Sequence, residues 1–211
     1  MLHKIEPSAF RRMRWKDGGG ETAEIAIGPP GSSVANFDWR ISTARVSAAG
    51  PFSIFPGIDR SLIVLSGIGL ELYVTEANTI RRVLLDTESD AFFFAGDAAV
   101  AASPIDHQPI VDFNVMTRRG RYTHTIQKMC ITSPLTLTAN RVALYGLSGT
   151  ALCRVEQPHL QTMNLSPEQV VIIEPSDDQD LTKSTVSIEP SGQTLCRIIA
   201  VMLNQRSHAN G

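Results

Sequence analysis

Apolar residues in this chain come in short runs broken by Gly, Pro, Asn and Asp, and no segment keeps a 3.6-residue period for the length of an ordinary helix. That pattern restricts the fold to the all-β class. Strands are expected over Thr22–Ile27, Asp38–Val46, Ser61–Leu65, Gly69–Val74, Thr79–Leu84, Ala91–Phe94, Ile110–Met116, Thr136–Leu147, Thr150–Val155, Val170–Glu174 and Thr194–Leu203. Their regular spacing suits a sandwich or barrel better than alternating β and α units. The segment Asp177–Ser191 is rich in Asp, Ser, Thr and Gln and reads as an exposed loop.

A weak internal repeat narrows the class further. Ser61–Leu72 can be laid over Ala143–Arg154, each with Leu-Ser-Gly between two apolar strands, and Ala91–Ala95 finds a counterpart in Val170–Glu174. A separation of about 80 residues is too long for a solenoid unit and suits duplication of a small β-barrel. Two barrels of similar topology are then expected to meet near residues 115–135, with Leu65 and Leu147 in equivalent places.

A β-rich chain of 211 residues can bury a core without covalent staples. Cys130, Cys153 and Cys196 are odd in number and form no Cys-x-x-Cys pair, which fits a reduced, cytoplasmic setting. No apolar run follows the positive charges of MLHKIEPSAFRRMRWKDGGG, so it does not read as a secretory signal, and no stretch is apolar enough to span a membrane. A net charge of -2 argues against a nucleic-acid surface. The basic clusters at Arg11, Arg12, Arg14 and Lys16 and at Arg118, Arg119 and Arg121 read as solvated surface.

Three stretches carry a family likeness: Trp15–Ile25 (WKDGGGETAEI), Phe37–Val46 (FDWRISTARV) running into Gly50–Arg60 (GPFSIFPGIDR), and Asp112–Gly120 (DFNVMTRRG). Together they resemble the HutD/Ves family, bicupins associated through HutD with bacterial histidine utilisation and regarded there as regulatory. The resemblance implies two double-stranded β-helix (cupin) barrels, residues 1–120 bearing the motifs and 121–211 a degenerate copy. Asp17 stands where the family pattern usually has Asn, which affects any contact that needs a neutral amide there.

A cupin barrel of the usual kind gathers two His, a Glu and a further His around one metal. With Gly67 as the terminal Gly of the first motif, Arg60 falls at the Glu position and Phe55 and Ser53 at the two His positions; with Gly96 as the turn glycine of the second, Ala99 falls at the last His. No metal and no cofactor are therefore expected. His3, His107, His124, His159 and His208 are scattered without metal-type spacing. Arg at the former carboxylate position inverts the sign of the pocket, and its planar guanidinium suits a bidentate carboxylate. The competing reading pairs Arg60 permanently with Asp59, Asp112 or Glu24.

Period-two alternation places Asp38, Arg40, Ser42, Ala44 and Val46 on one face and Phe37, Trp39, Ile41 and Thr43 on the other; it groups Asp112, Asn114 and Met116 opposite Phe113 and Val115. The expected site has Arg60 as anchor, Arg40, Ser42, Glu24 and Asn114 as secondary polar contacts, and Trp15, Trp39, Phe52 and Phe55 as an apolar frame. Gly18, Gly19 and Gly20 either bring main-chain amides to the ligand or simply make a tight turn. Trp15 either covers the pocket or packs the first strand.

These readings converge on a metal-free regulatory bicupin for a small carboxylate such as urocanate or formylglutamate, with no nucleic-acid or membrane partner and a homodimer left open. Two alternatives stand beside it: a metal-independent isomerase or hydrolase with Glu24, Asp59 or Asp112 as general base, and an interaction module with a vestigial barrel.

Overall fold

The computed structural model describes residues 1–76, 79–156, 159–175, 182–192 and 195–206. In chain order the strands are β1 (Leu2–Ile5), β2 (Arg11–Arg14), β3 (Gly20–Gly28), β4 (Trp39–Val46), β5 (Gly50–Pro51), β6 (Ile58–Ser66), β7 (Leu70–Glu76), β8 (Thr79–Leu85), β9 (Phe92–Ala95), β10 (Ala99–Pro104), β11 (Ile110–Arg118), β12 (Tyr122–Ile131), β13 (Leu135–Ala139), β14 (Arg141–Ser148), β15 (Ala151–Val155), β16 (Gln161–Leu165), β17 (Val170–Ile173), β18 (Ser184–Pro190) and β19 (Cys196–Gln205). Only two short 3-10 turns, Pro7–Ala9 and Ile105–His107, interrupt the β-structure of the described residues.

Contacts divide the chain into two units, Arg11–Gly120 and Met1–Phe10 with Arg121–Gly211. The division falls at Gly120, and the first ten residues group with the C-terminal unit. β1 instead pairs antiparallel with β17, Leu2 opposite Ile173 and Ile5 opposite Val170, and covers what would otherwise be an open edge of that sheet.

In the unit Arg11–Gly120 one sheet runs β2-β3-β4-β11-β6-β9 and the other β5-β10-β7-β8. Alternate residues of both sheets, among them Leu62, Val64, Leu70, Leu72, Val74, Val100 and Ile110, form a common core. In the other unit the orders are β1-β17-β14-β19-β12 and β13-β18-β15-β16, closed over Val142, Leu144, Val186, Ile188, Ile198 and Ala200.

The two strand orders are the same arrangement displaced by eight strands: β4-β11-β6-β9 becomes β12-β19-β14-β17, and β5-β10-β7-β8 becomes β13-β18-β15-β16. Leu65-Ser66-Gly67 and Leu147-Ser148-Gly149 close β6 and β14 at equivalent points, and both glycines take positive φ, +100° and +68°, conformations that side chains rarely adopt. Even the irregularities match. The β6:β11 ladder skips Leu65, passing from Ser66 to Val64, and the β14:β19 ladder skips Leu147, passing from Ser148 to Gly146. This is the duplicated cupin-type barrel that the resemblance implies.

Several elements differ from the sequence expectation. The run expected over Thr136–Leu147 is broken at Asn140 into β13 and β14, which belong to different sheets. Asn140 marks the corner and accepts a hydrogen bond from the Gln205 amide at 2.9 Å. The loop expected over Asp177–Ser191 contains β18, whose Val186 and Ile188 are fully buried; two large apolar residues at even spacing are too faint a signal among Ser, Thr and Glu. Residues 177–181 of that expected loop lie outside the described residues. No described helix is long and apolar enough to cross a membrane.

Candidate functional site

β4 and β6 flank β11, and the three strands fix the site. On β11, Asp112, Asn114 and Met116 alternate onto one face; β4 sets Ala44, Ser42 and Arg40 opposite them, and β6 sets Val64, Leu62 and Arg60. Arg40, Ser42, Ala44, Arg60, Asp112, Asn114 and Met116 line a cavity of about 610 Å³, whose mouth is formed by Trp15, Lys16 and Asp17, Val34, and Phe52, Ser53 and Phe55. That volume lies within the ordinary range for small-molecule pockets.

Arg60 is 7% exposed, and its guanidinium is caged by Phe94, Phe52 and Phe55 at 4.8, 5.3 and 5.7 Å from the ring centroids. Nη1 donates a long hydrogen bond, 3.4 Å, to the Ser53 carbonyl, while Nε has no partner. Gly96 lets this cage close. A Cβ there would sit 2.7 Å from the Phe55 carbonyl oxygen and 2.8 Å from that of Ile58, so only glycine allows the Phe55 and Ile58 backbone to lie against the end of β9. Burial lowers the Arg60 pKa to about 10, against the pull of Asp112 and with a further push from Arg40, which still leaves the group charged at neutral pH.

Asp112 is the counterweight. It is 2% exposed with Oδ1 unbonded, and burial pushes its carboxyl up to about 7, opposed by the Arg60 charge and by a hydrogen bond from the Ala44 backbone. The folded protein therefore holds this proton more tightly than the unfolded chain, where a carboxyl titrates near 3.8. Asp112 contributes stability that is complete below about pH 4 and is lost as pH rises through about 7. The Asp112→Asn variant is accordingly expected to gain stability relative to wild type as pH is raised from about 5 to about 8. Paired urea midpoints across that range measure it, and a pH-independent difference would count against a raised carboxyl.

The three internal partners open to Arg60 differ in what they do. Glu24 is taken by Arg40, whose Nε donates to Oε2 at 2.7 Å with both side chains buried, and Arg11 approaches Oε1 at 3.7 Å. Asp59 points elsewhere and is held by Arg119 at 2.8 and 3.0 Å. Asp112, which lines the cavity, acts on Arg60 through its charge, and its buried Oδ1 has no hydrogen-bond partner.

Of the sequence-selected residues, Arg60, Arg40, Ser42, Asn114, Trp15, Phe52 and Phe55 meet at the cavity. Glu24 does not line it. It is paired with Ser42 across β3:β4, just before the bulge at Ile25, and sits behind Arg40 as that residue's anchor. Trp39 lies on the opposite face of β4, where its indole fills the space a Cβ on Gly28 would need, 2.2 Å away. Gly18, Gly19 and Gly20 do not line it either: they form the tight turn between β2 and β3, with Gly18 at φ +72° and a would-be Cβ on Gly20 only 2.4 Å from the Arg45 carbonyl. Asp17 caps that turn by accepting from the Gly19 amide at 3.0 Å, and Trp15 is held at the mouth by donating from Nε1 to Thr22 Oγ1 at 2.8 Å.

Asp112 joins the cavity although sequence reasoning names it only as a possible internal partner of Arg60 or a general base, on one face with Asn114, and not as a ligand contact. Ala99 is exposed on β10 and does not line the cavity, so counting residues puts the last metal-ligand position on the wrong face. The side chains at the first-motif positions, Ser53, Phe55 and Arg60, supply a hydroxyl, a ring and a cation, a set that does not fit a divalent metal.

At the equivalent registers of the second barrel, Val142 stands for Arg60, Met202 for Met116, Ala200 for Asn114 and Ile198 for Asp112. Three of these, Val142, Ala200 and Ile198, belong to a packed apolar core. The same frame is thus filled in one unit and polar in the other.

Comparison with known proteins gives consistent relationships. The HutD family pattern matches residues 7–194. A Protein Ves of Citrobacter koseri is 38% identical over 109 residues, 51% of this chain and 53% of that one, so the matched stretch spans about half of that relative. A 21.2 kDa protein in the hutC 3' region of Pseudomonas putida is 35% identical over 147 residues, 70% of this chain and 74% of the other. Among solved structures, a conserved protein of unknown function from Pseudomonas aeruginosa PAO1 superposes with TM-score 0.82 at 26% identity, covering 97% and 99% of the two chains. HutD from Pseudomonas fluorescens SBW25, solved in a formate condition, gives 0.76 at 24% identity over 98% and 100%, a likeness of fold.

Proposed function

Since this chain belongs to the HutD family, we propose that its N-terminal barrel is a receptor for a small carboxylate, gripped by Arg60, and that the protein serves a regulatory or accessory role linked to histidine utilisation. The observation that carries the proposal is a buried guanidinium, its Nε unbonded, on a residue that lines a cavity of about 610 Å³. Burying a cation costs several kcal/mol and ordinarily requires an anionic partner. Glu24 and Asp59 are engaged by other arginines, and Asp112 holds its proton up to about pH 7, so none of them satisfies Arg60 outright.

The chemistry fits such a guest. Phe52, Phe55 and Trp15 offer flat apolar walls, and Ser42 and Asn114 offer hydrogen bonds along one side. Two relatives motivate the metabolic setting: the Pseudomonas putida protein lies in a hutC 3' region, and the Pseudomonas fluorescens HutD was solved in a formate condition, formate being the smallest carboxylate. Urocanate and formylglutamate are the first compounds to try, with acetate and formate as minimal probes.

The test is thermal unfolding at neutral pH with each compound. At least one carboxylate is expected to raise the unfolding midpoint in a concentration-dependent way, as linkage requires of a ligand that binds only the folded state. If none does at millimolar concentration, the carboxylate reading fails.

A further inference from the structure

Three residues that line the cavity each bury a side-chain atom with no hydrogen-bond partner: Nε of Arg60, Oδ1 of Asp112 and Oδ1 of Asn114. More than nine in ten buried polar groups in folded proteins are paired, so three orphans on residues that line one cavity call for an explanation. They are chemically unlike. Arg60 can only donate, whereas ionised Asp112 can only accept, and Asn114 can present either end of its amide.

They are also ordered along the sheet. Arg60 pairs with Met116, while Asp112 lies four residues away on the same strand with Asn114 between them, which separates the backbone positions of donor and acceptor by roughly 13 Å. A bare carboxylate would satisfy Arg60 alone and, above about pH 7, where Asp112 is ionised, would bring a second anion into the cavity. A guest with a hydrogen-bond donor at its far end would satisfy both ends without crowding like charges.

Resting on the carboxylate reading above, we propose that the cavity recognises acids that also carry an N–H group, with Arg60 reading the carboxylate and Asp112, assisted by Asn114, forming a second subsite that reads the N–H. The occupant's class is thereby narrowed to small acids bearing an imidazole, amide or amine. Phe52 and Phe55, beside Arg60, and Trp15 line the same cavity and supply apolar surface for the body of the molecule. Asp112, which simple metal-site counting does not reach, becomes the specificity residue of the pocket.

Matched probes isolate the N–H. Imidazole-4-acetate and 3-(imidazol-4-yl)propionate have the shapes of phenylacetate and 3-phenylpropionate but add ring nitrogen, so each pair differs in what Asp112 can read. Calorimetric titration of the 211-residue chain at about pH 8, where Asp112 is mostly ionised, is expected to show at least one imidazole acid binding about tenfold or more tightly than its phenyl counterpart. In the nearly isosteric Asp112→Asn variant that preference is expected to fall below about threefold, because a charge-assisted hydrogen bond becomes a neutral one.

Equal binding of the two members of both pairs would leave Arg60 as the anchor and overturn the second subsite. Binding by none of the four acids would overturn this inference, and the carboxylate reading with it if urocanate, formylglutamate, acetate and formate also fail to bind. A preference that persists in full in Asp112→Asn would remove Asp112 from the recognition. The wild-type pairs alone decide whether the second subsite exists, even if the variant folds poorly.

Discussion

Replacing Arg60 by Ala is expected to weaken carboxylate binding by about 2–5 kcal/mol, roughly 30- to 5,000-fold, the cost typical of truncating one member of a buried charge pair. Lys at the same position keeps the charge but loses the planar fork and the favourable stacking against Phe94 and Phe52, so it should restore only part of the affinity. The substitution also withdraws the positive charge that holds the Asp112 carboxyl down, which favours its neutral form and removes the largest obstacle to folding without Arg60. Thermal unfolding of wild type, Arg60→Ala and Arg60→Lys, each with and without the stabilising acid, separates binding from folding. Ligand stabilisation that survives intact in the Ala variant would move the anchor to Arg40, the other buried guanidinium lining the cavity.

The second large effect lies one layer behind the pocket. Glu24→Ala should destabilise the fold by about 3–5 kcal/mol, because it leaves the buried Arg40 guanidinium without the carboxylate at 2.7 Å that compensates it. Arg11 approaches the same carboxylate from an exposed position, so Arg11→Ala should change stability by no more than about 0.5 kcal/mol. Urea unfolding of the two variants gives the contrast directly. A loss below about 1 kcal/mol for Glu24→Ala would mean that water in the cavity solvates Arg40 well enough to replace its partner.

The fold is more legible in the sequence than the site because the two rest on different kinds of information. Period-two alternation within a strand is local, and it correctly groups Arg40 with Ser42 and Ala44, and Asp112 with Asn114 and Met116. It does not say which face of a strand looks into a cavity when both faces are buried, as they are in β4 and β11. Trp39 therefore reads as a pocket residue although it packs against Gly28 on the other side. Glu24 reads as a ligand contact because nothing local reveals that Arg40 and Glu24 claim each other across the β3:β4 ladder.

Asp112 illustrates the same gap from the other side. Its neighbours Arg60 and Ala44 are far from it in sequence and meet it only through the β11 ladders, so its burial, and with it the raised pKa, is not readable from the chain. The Leu-Ser-Gly repeat, by contrast, is legible because it marks a turn whose glycine must take positive φ in both barrels.

The duplication has a practical consequence for optical work. Both tryptophans of the chain, Trp15 and Trp39, fall in the pocket-bearing half, while the half with the filled core contains none. Trp15 stands at the cavity mouth and Trp39 is buried behind β4, so indole emission is a built-in reporter for one barrel against a silent twin of the same topology. Far-ultraviolet dichroism, which sums over both barrels, supplies the complementary signal. A single unlabelled sample can thus show whether the two halves melt together or in sequence, and whether an added acid is felt by the half that has room for it.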